Sequence, residues 1–192
     1  MELRLLVVFV RKKKVNNMRN KKKKKQGLIT IDLDKASKVL WIVTMALGVL
    51  VSLLIFAPCL VSQTGDIHTG LQITFGEKWF DVEFAREYVP FHFLTFLGYF
   101  LPLLAAGLMF YNYKKENKWF DLIVSVMFLL SFIFIILIPQ YAHFVKETPI
   151  LDTVTKPLIE GKLGWGSQIA GASSFLGIIS GLLKCFSDTY GK

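Results

Sequence analysis

The sequence predicts an all-α membrane protein: a four-transmembrane-helix bundle with both termini cytosolic and a small β-hairpin in the first outer loop. Four apolar segments are each about as long as the roughly 20 residues that a helix needs to cross a bilayer. Hydrophobic residues make up 53% of the 192 residues and charged residues 19%, whereas soluble domains have about 45–50% and about 25%. The net charge of +9 comes from one segment near the N-terminus.

This basic segment, residues 11–25, carries ten of the 23 lysines and arginines and no acidic residue, which leaves 13 basic and 14 acidic residues elsewhere. Without a folded basic face or interleaved aromatic residues, nucleic acid is not a predicted partner. We predict that residues 1–38 form a basic, mostly disordered cytosolic segment. Its lysines are expected to contact anionic lipid headgroups, each contributing about 1 kcal/mol near the surface. These lysines are Lys21, Lys22, Lys23, Lys24 and Lys25.

The predicted membrane domain, residues 39–186, contains four spans and two outer loops and is followed by a cytosolic tail at 187–192. The spans are 39–61, 91–111, 122–139 and 163–185, and the outer loops are 62–90 and 140–162. Cytosolic loops carry an excess of Lys and Arg. The inner loop holds three lysines in seven residues, and the first outer loop holds two basic residues in 29. The second outer loop is a weaker indicator, because it also holds three lysines. These features predict a multi-pass protein of the cell membrane.

The first span also has features of a cleaved signal peptide, because Ala57, Pro58 and Cys59 follow its apolar core. That core exceeds the usual length of about 7–15 residues, and a proline beside the candidate cleavage site fits poorly. A retained span is therefore favoured. Met18 is an alternative start of translation, which would shorten the basic segment that precedes this span.

The first outer loop contains two runs in which apolar and polar residues alternate, as is typical of strands. The apolar positions are Leu71, Ile73, Phe75, Phe80, Val82 and Phe84. With Gly76 between the runs, the pattern predicts a hairpin. An isolated hairpin is only marginally stable in water, so these residues need a partner surface. The candidates are the helix ends and second outer loop of this chain, lipid headgroups, and another protein.

The fourth span contains small residues at helical spacing, which let helix backbones approach closely in lipid. The set comprises Gly166, Ala170, Ser173, Ser174, Gly177 and Gly181. The groove that they predict can pack against a helix of the same chain or against a second copy in a homo-oligomer. In the second span, Pro102 removes a helix hydrogen bond and therefore predicts a kink.

The sequence contains no recognisable catalytic motif, and we predict no catalytic residue and no cofactor. Asp66 and His68 lack a third ligand at a diagnostic spacing, so no metal site is predicted. Asp121 is interpreted as compensating the dipole of the third helix, and Lys184 as a charge of the cytosolic tail. No ionisable residue is expected deep in the bilayer, which disfavours a proton- or ion-coupled transporter.

These observations predict a non-enzymatic membrane protein, an accessory or structural subunit that works through protein contacts of its outer loops and its fourth helix. The alternative is a small oligomeric channel or transporter for an uncharged or apolar solute, lined by hydroxyl groups. Candidates for this lining are Thr44, Ser52, Thr95, Ser125 and Ser131. The layout is similar to that of claudin-like tetraspan proteins. However, the first outer loop lacks the cysteine pair and the Trp-Gly-Leu-Trp motif of that family, and no family is assigned.

Overall fold

The computed structural model of the protein describes residues 33–63, 65–82, 85–113, 115, 117–148 and 153–190. The predicted lipid-contacting residues Lys21 to Lys25 and the hairpin residue Phe84 lie outside the described residues. So does most of the segment that is predicted to be disordered. The structure is mostly helical (68%), with four long apolar helices and two small sheets.

Among the described residues, four helices are long and apolar enough to cross a membrane, in agreement with the predicted number of spans. The helices of the described residues are α1 (Leu33–Leu53), α2 (Gly70–Phe75), α3 (Phe93–Asn112), α4 (Lys118–Ile136), α5 (Ile138–Tyr141) and α6 (Trp165–Tyr190). A 3₁₀ turn, Leu54–Phe56, continues α1. The long apolar helices are α1, α3, α4 and α6.

Several helix ends differ from the predicted ends of the spans. The first helical segment ends at Phe56 instead of residue 61, because Ala57 takes extended backbone and Pro58 begins a strand. Proline disfavours a helical conformation in the residue before it. The helix of the third predicted span, α4, begins at Lys118 instead of residue 122. The Asn117 side chain accepts a hydrogen bond from the Trp119 backbone N–H at 3.1 Å and so caps the start of this helix.

The four long helices contact one another in a closed ring, since α1 and α4 each pack against both α3 and α6. Large side chains fill the space between them, and the largest are almost completely buried: Tyr99, Met109, Val124, Phe128 and Ile135. The outward faces are also apolar, as shown by the exposed side chains of Ile123 and Phe110. Helices that are apolar on both the inner and the outer face are typical of a membrane-embedded protein.

Both loops at one end of the helices fold into sheets. The first sheet has the order β2 (Ile67–Thr69), β1 (Pro58–Ser62), β7 (Gly161–Leu163), and the second has the order β3 (Glu77–Val82), β4 (Ala85–Val89), β5 (Val145–Thr148), β6 (Thr153–Thr155). All of the neighbouring strands are antiparallel. The pairs β1–β7 and β4–β5 join the first loop to the second. We call the described residues of 57–92 and 137–164 the cap. The sequence predicts β-structure only as one hairpin in the first outer loop, whereas the sheets also contain strands of the second loop.

The predicted hairpin at Leu71 to Phe84 is wrong in its first half. Leu71, Ile73 and Phe75 lie on α2, a short helix that begins with a capping box. In this box Thr69 Oγ1 accepts from the Gln72 backbone N–H, and the Gln72 side chain accepts from the Thr69 backbone N–H. The hairpin itself is β3–β4, six residues further on. The periodicity of a short apolar run does not by itself distinguish a helix from a strand. Here the capping box at Thr69 favours the helix.

Candidate functional site: a buried ion pair and the polar contacts between helices

A buried ion pair joins α4 to α6 at the end of the helices that lies opposite the cap. Lys184 Nζ lies 3.1 Å from Asp121 Oδ2 and 3.2 Å from Oδ1. The Asp121 side chain is completely buried, and that of Lys184 is 6% exposed. Removal of one charge from such a pair leaves the other buried without compensation, which costs about 3–5 kcal/mol.

The turn between α3 and α4 is hydrogen-bonded to this pair. Asn112 Nδ2 donates to Asp121 Oδ1 at 3.1 Å and to the Asn117 carbonyl at 3.0 Å, and Asn112 Oδ1 accepts from the Asn117 backbone N–H at 2.9 Å. Because Asn112 is only 1% exposed, these bonds satisfy amide atoms that have little access to water. The cluster of Asn112, Asn117, Asp121 and Lys184 therefore fixes three long helices relative to one another. We call it the ionic cluster.

The sequence did not reveal the ionic cluster. Asp121 lies in the first turn of α4, as its interpretation as a helix-dipole charge requires. Both Asp121 and Lys184 lie inside candidate membrane spans, and local sequence does not pair them. The expectation that no ionisable residue lies deep in the bilayer remains a prediction, because Asp121 lies in the first turn of α4 and Lys184 near the end of α6. The two residues are 63 positions apart, and only the packing of α4 on α6 brings them together. The signal that could have found them is a pair of opposite charges at equivalent depth in two apolar segments.

Pro102 creates a second polar contact between helices. Proline has no backbone N–H, so the carbonyl of Gly98 loses the hydrogen bond that residue 102 would normally donate to it. Ser131 Oγ of α4 donates to this carbonyl at 2.6 Å and lies 3.1 Å from Ser174 Oγ of α6. Ser131 and Ser174 are both completely buried. The kink at Pro102 remains a prediction, but the bond that the proline removes is replaced by a neighbouring helix.

The other hydroxyl groups considered as a pore lining are also bonded to the protein. Thr44 Oγ1 donates to the Leu40 carbonyl and lies 2.9 Å from Ser180 Oγ. Ser52 Oγ is within hydrogen-bond distance of the carbonyls of Gly48 and Tyr99. The remaining pairs are Ser125 Oγ with the Asp121 carbonyl at 2.9 Å and Thr95 Oγ1 with Tyr141 Oη at 3.2 Å. Several of these bonds connect different helices.

The small residues of α6 lie at contacts within the chain. A Cβ atom at Gly177 would overlap the ring of Phe128, and one at Gly166 would overlap Ala57 and Pro58. A Cβ at Gly181 would lie 2.5 Å from Ser125 Oγ. Ala170, Ser173 and Ser174 are buried as well. One further close approach was missed by the sequence reading: at Gly48 of α1, a Cβ would overlap the Pro102 carbonyl of α3.

A polar cluster also lies beneath the cap. Ser167 Oγ donates to Cys59 Sγ at 3.0 Å, and Tyr99 Oη lies 3.0 Å from Ser167 Oγ. All three side chains are at most 2% exposed. Burial raises the pKa of the Cys59 thiol, although the hydrogen bonds to Ser167 and Tyr99 oppose this effect. The buried thiol is therefore kept in its neutral form and links β1 to α6.

Two histidines connect the start of α3 to the second loop of the cap. The rings of His92 and His143 meet edge to face with centroids 4.7 Å apart, and His92 Nε2 lies 3.1 Å from the His143 carbonyl. Burial lowers the pKa of His92; the His143 carbonyl opposes this shift and the charge of the His143 ring adds to it. The neutral form of His92 is therefore favoured in the folded protein.

Within the described ranges, no group of three or more His, Cys, Asp or Glu side chains is placed to hold a metal ion. Comparison of the chain with protein-family models, curated proteins and solved structures found no match.

Proposed function

We propose that the chain is an integral membrane protein of the cell membrane whose long helices form a transmembrane bundle with both termini cytosolic. In this arrangement the cap lies outside. We propose further that it is a non-enzymatic accessory or structural subunit, which works through protein contacts of its cap. The positive charge of the N-terminal segment and the lysines between α3 and α4 support this orientation.

The observation that carries the proposal is the contrast between the interior and the cap. The space between the helices is filled by side chains such as Tyr99 and Phe128, and the inter-helix hydroxyl groups are bonded to the protein. The cap, in contrast, combines two distant loops into a sheet whose edge strands are β3 and β6. An edge strand is where a strand of another chain can be added. Val154 of β6 is 57% exposed, so this edge presents an accessible apolar side chain.

Purification in mild detergent with identification of co-purifying membrane proteins tests the proposal. We expect a stoichiometric partner that is lost in Val154→Lys. The matched control is Ile67→Lys, because Ile67 is 60% exposed but belongs to the other sheet; we expect it to retain the partner. A solitary monomer in the unchanged protein, or equal binding by both variants, would contradict a role of this edge.

The alternative of a small oligomeric channel or transporter remains a prediction, and it requires a path for the solute. With the interior of one chain filled, a path for an uncharged or apolar solute would have to lie between copies in a homo-oligomer. Flux of such a solute into liposomes containing the purified protein distinguishes the two functions. The accessory role predicts no flux above that of protein-free liposomes.

A further inference from the structure

The short helix α2 presents large apolar side chains on its exposed side. Leu71 is 38% exposed and Phe75 is 57% exposed. They are four positions apart and therefore lie on one face. The opposite face, with Gly70, Ile73 and Thr74, is buried, where α2 packs against α3 and the 3₁₀ turn. No residue of α2 is charged. The helix is therefore apolar on its exposed side as well as on its buried side.

The exposed side of α2 is continuous with the outer face of α3 through a series of phenylalanine rings. The Phe75 ring lies 6.2 Å from those of Phe91 and Phe96, and the Phe96 ring lies 5.0 Å from that of Phe100. Phe93 lies 6.5 Å from Phe96. We call Phe75, Phe91, Phe93, Phe96 and Phe100 the aromatic ridge. Three of its members are more than half exposed, namely Phe75, Phe91 and Phe93.

The ridge reaches from the cap onto a candidate membrane span, because α3 forms that span from Phe93 onwards. Residues 90–100 contain no Asp, Glu, Lys or Arg. A binding site for another protein normally has a polar rim around an apolar centre, whereas this surface continues into the apolar outer face of α3. Large apolar patches are unfavourable in water. Its continuity with α3 and its lack of charge identify lipid as its occupant.

We propose that α2 lies in the membrane interface on the cap side, with Leu71 and Phe75 inserted among the lipid acyl chains beside α3. This inference rests on the proposed membrane placement of α3. An apolar helix face held at the boundary between headgroups and acyl chains is a known mode of membrane contact. This contact holds α2 against the bilayer. The hairpin β3–β4 begins directly after Gly76 and therefore starts at the membrane surface.

The placement can be tested with nitroxide labels on the full-length protein in phosphatidylcholine liposomes. A background of Cys185→Ser leaves Cys59, which is completely buried and is expected not to react. Labels are placed at Phe75→Cys and, as a second reporter on the same face, at Leu71→Cys. Collision rates with oxygen, which concentrates in the acyl chains, and with a water-soluble nickel chelate then report the surroundings of each label.

Two reference labels make the outcomes distinguishable. Leu103→Cys reports the outer face of α3, where Leu103 is 44% exposed, and Lys156→Cys reports the exposed cap. We expect the oxygen-to-nickel ratio at residues 71 and 75 to be close to that at residue 103 and severalfold above that at residue 156. A ratio like that at residue 156, or protection from both reagents because protein covers the label, would overturn the inference. If the label at residue 103 also contacts water, the membrane placement of α3 itself fails.

Discussion

Pro102 and Ser131 show how one residue sets the role of another in a neighbouring helix. The proline leaves the Gly98 carbonyl without its usual donor, and Ser131 supplies the replacement at 2.6 Å. We expect Ser131→Ala to lower the free energy of unfolding by about 1–3 kcal/mol, because it leaves a buried carbonyl unpaired. Unfolding in mixed detergent micelles measures this loss.

A double-mutant cycle identifies the cause of that loss. In a Pro102→Ala background the new backbone N–H can donate to Gly98, so Ser131→Ala should cost less there than in the unchanged protein. Ser174→Ala is the matched control, because it removes the other partner of Ser131 and leaves the Gly98 carbonyl paired. Equal costs of Ser131→Ala in both backgrounds would show that the proline is irrelevant to its role.

Gly177 and Gly107 provide a matched pair of glycines in long helices. A side chain at Gly177 would overlap the Phe128 ring, whereas a Cβ at Gly107 would meet nothing within 4 Å. We expect Gly177→Leu to destabilise the protein by about 1–3 kcal/mol or more through overpacking. Gly107→Leu should be neutral or stabilising, because leucine has a better helix propensity than glycine. Thermal unfolding in detergent tests this; similar melting temperatures for the two variants would argue against close packing at Gly177.

At the scale of elements, the ionic cluster joins α4 to α6. We expect Lys184→Met to destabilise the protein by about 3–5 kcal/mol, because it leaves the Asp121 carboxylate buried without its cation. The double variant Asp121→Leu with Lys184→Met should recover most of this loss, since apolar replacement of both partners of a buried pair is often neutral. Chemical or thermal unfolding of both variants measures the difference. A double variant as unstable as the single one would mean that Asp121 contributes something beyond its pairing with Lys184.

The cap should lose stability in acid. Burial lowers the pKa of His68 and of His92; Asp66 and Glu77 oppose the shift at His68. When the pKa of a histidine is lower in the folded state, the unfolded state binds the proton at a higher pH than the folded state does. Protonation therefore favours unfolding. Stability is therefore lost as the pH falls below about 6.5, the unfolded value.

The measurement for this prediction is the melting temperature in detergent at pH 7.5 and pH 5.5. The group that faces His92 directly is His143, with the Tyr141 ring at 6.2 Å from the His92 ring. His92→Gln keeps a donor for the His143 carbonyl but cannot titrate, so its melting temperature should fall less on acidification. A double variant with His68→Gln should fall least. An unchanged pH dependence in both would assign acid sensitivity to other groups.

At the scale of the whole molecule, the proposed topology places the cap outside and the turn between α3 and α4 inside. In a Cys185→Ser background, an introduced cysteine at Lys156 should react with a membrane-impermeant maleimide in intact cells. A cysteine at Lys115 should react only after the membrane is permeabilised. Both positions are exposed, so a difference in reactivity reports the side of the membrane. The opposite pattern would invert the orientation.

Local sequence features predicted some elements of the fold better than others. The number of long apolar helices follows from the length of the apolar segments alone. The two ends of α2 also have local sequence signals, namely Thr69 at its start and Gly76 at its end. Gly76 has a φ of 87°, a conformation that residues other than glycine rarely adopt. The strand prediction at 71–75 failed because a run of five residues is too short for periodicity to decide. The paired β1–β7 and β4–β5 strands were not predictable, since each joins segments far apart in the chain.

The sequence alone predicts four membrane-spanning candidates, a basic N-terminal segment and a set of small residues on the last helix. These properties depend on length, composition and spacing along one segment. Which groups meet becomes known only from the packed fold: Asp121 with Lys184, Ser131 with the Gly98 carbonyl, Gly177 with Phe128, and the first loop with the second. Such contacts depend on how helices and strands pack side by side, and residue spacing within one segment carries no information about the neighbouring segment.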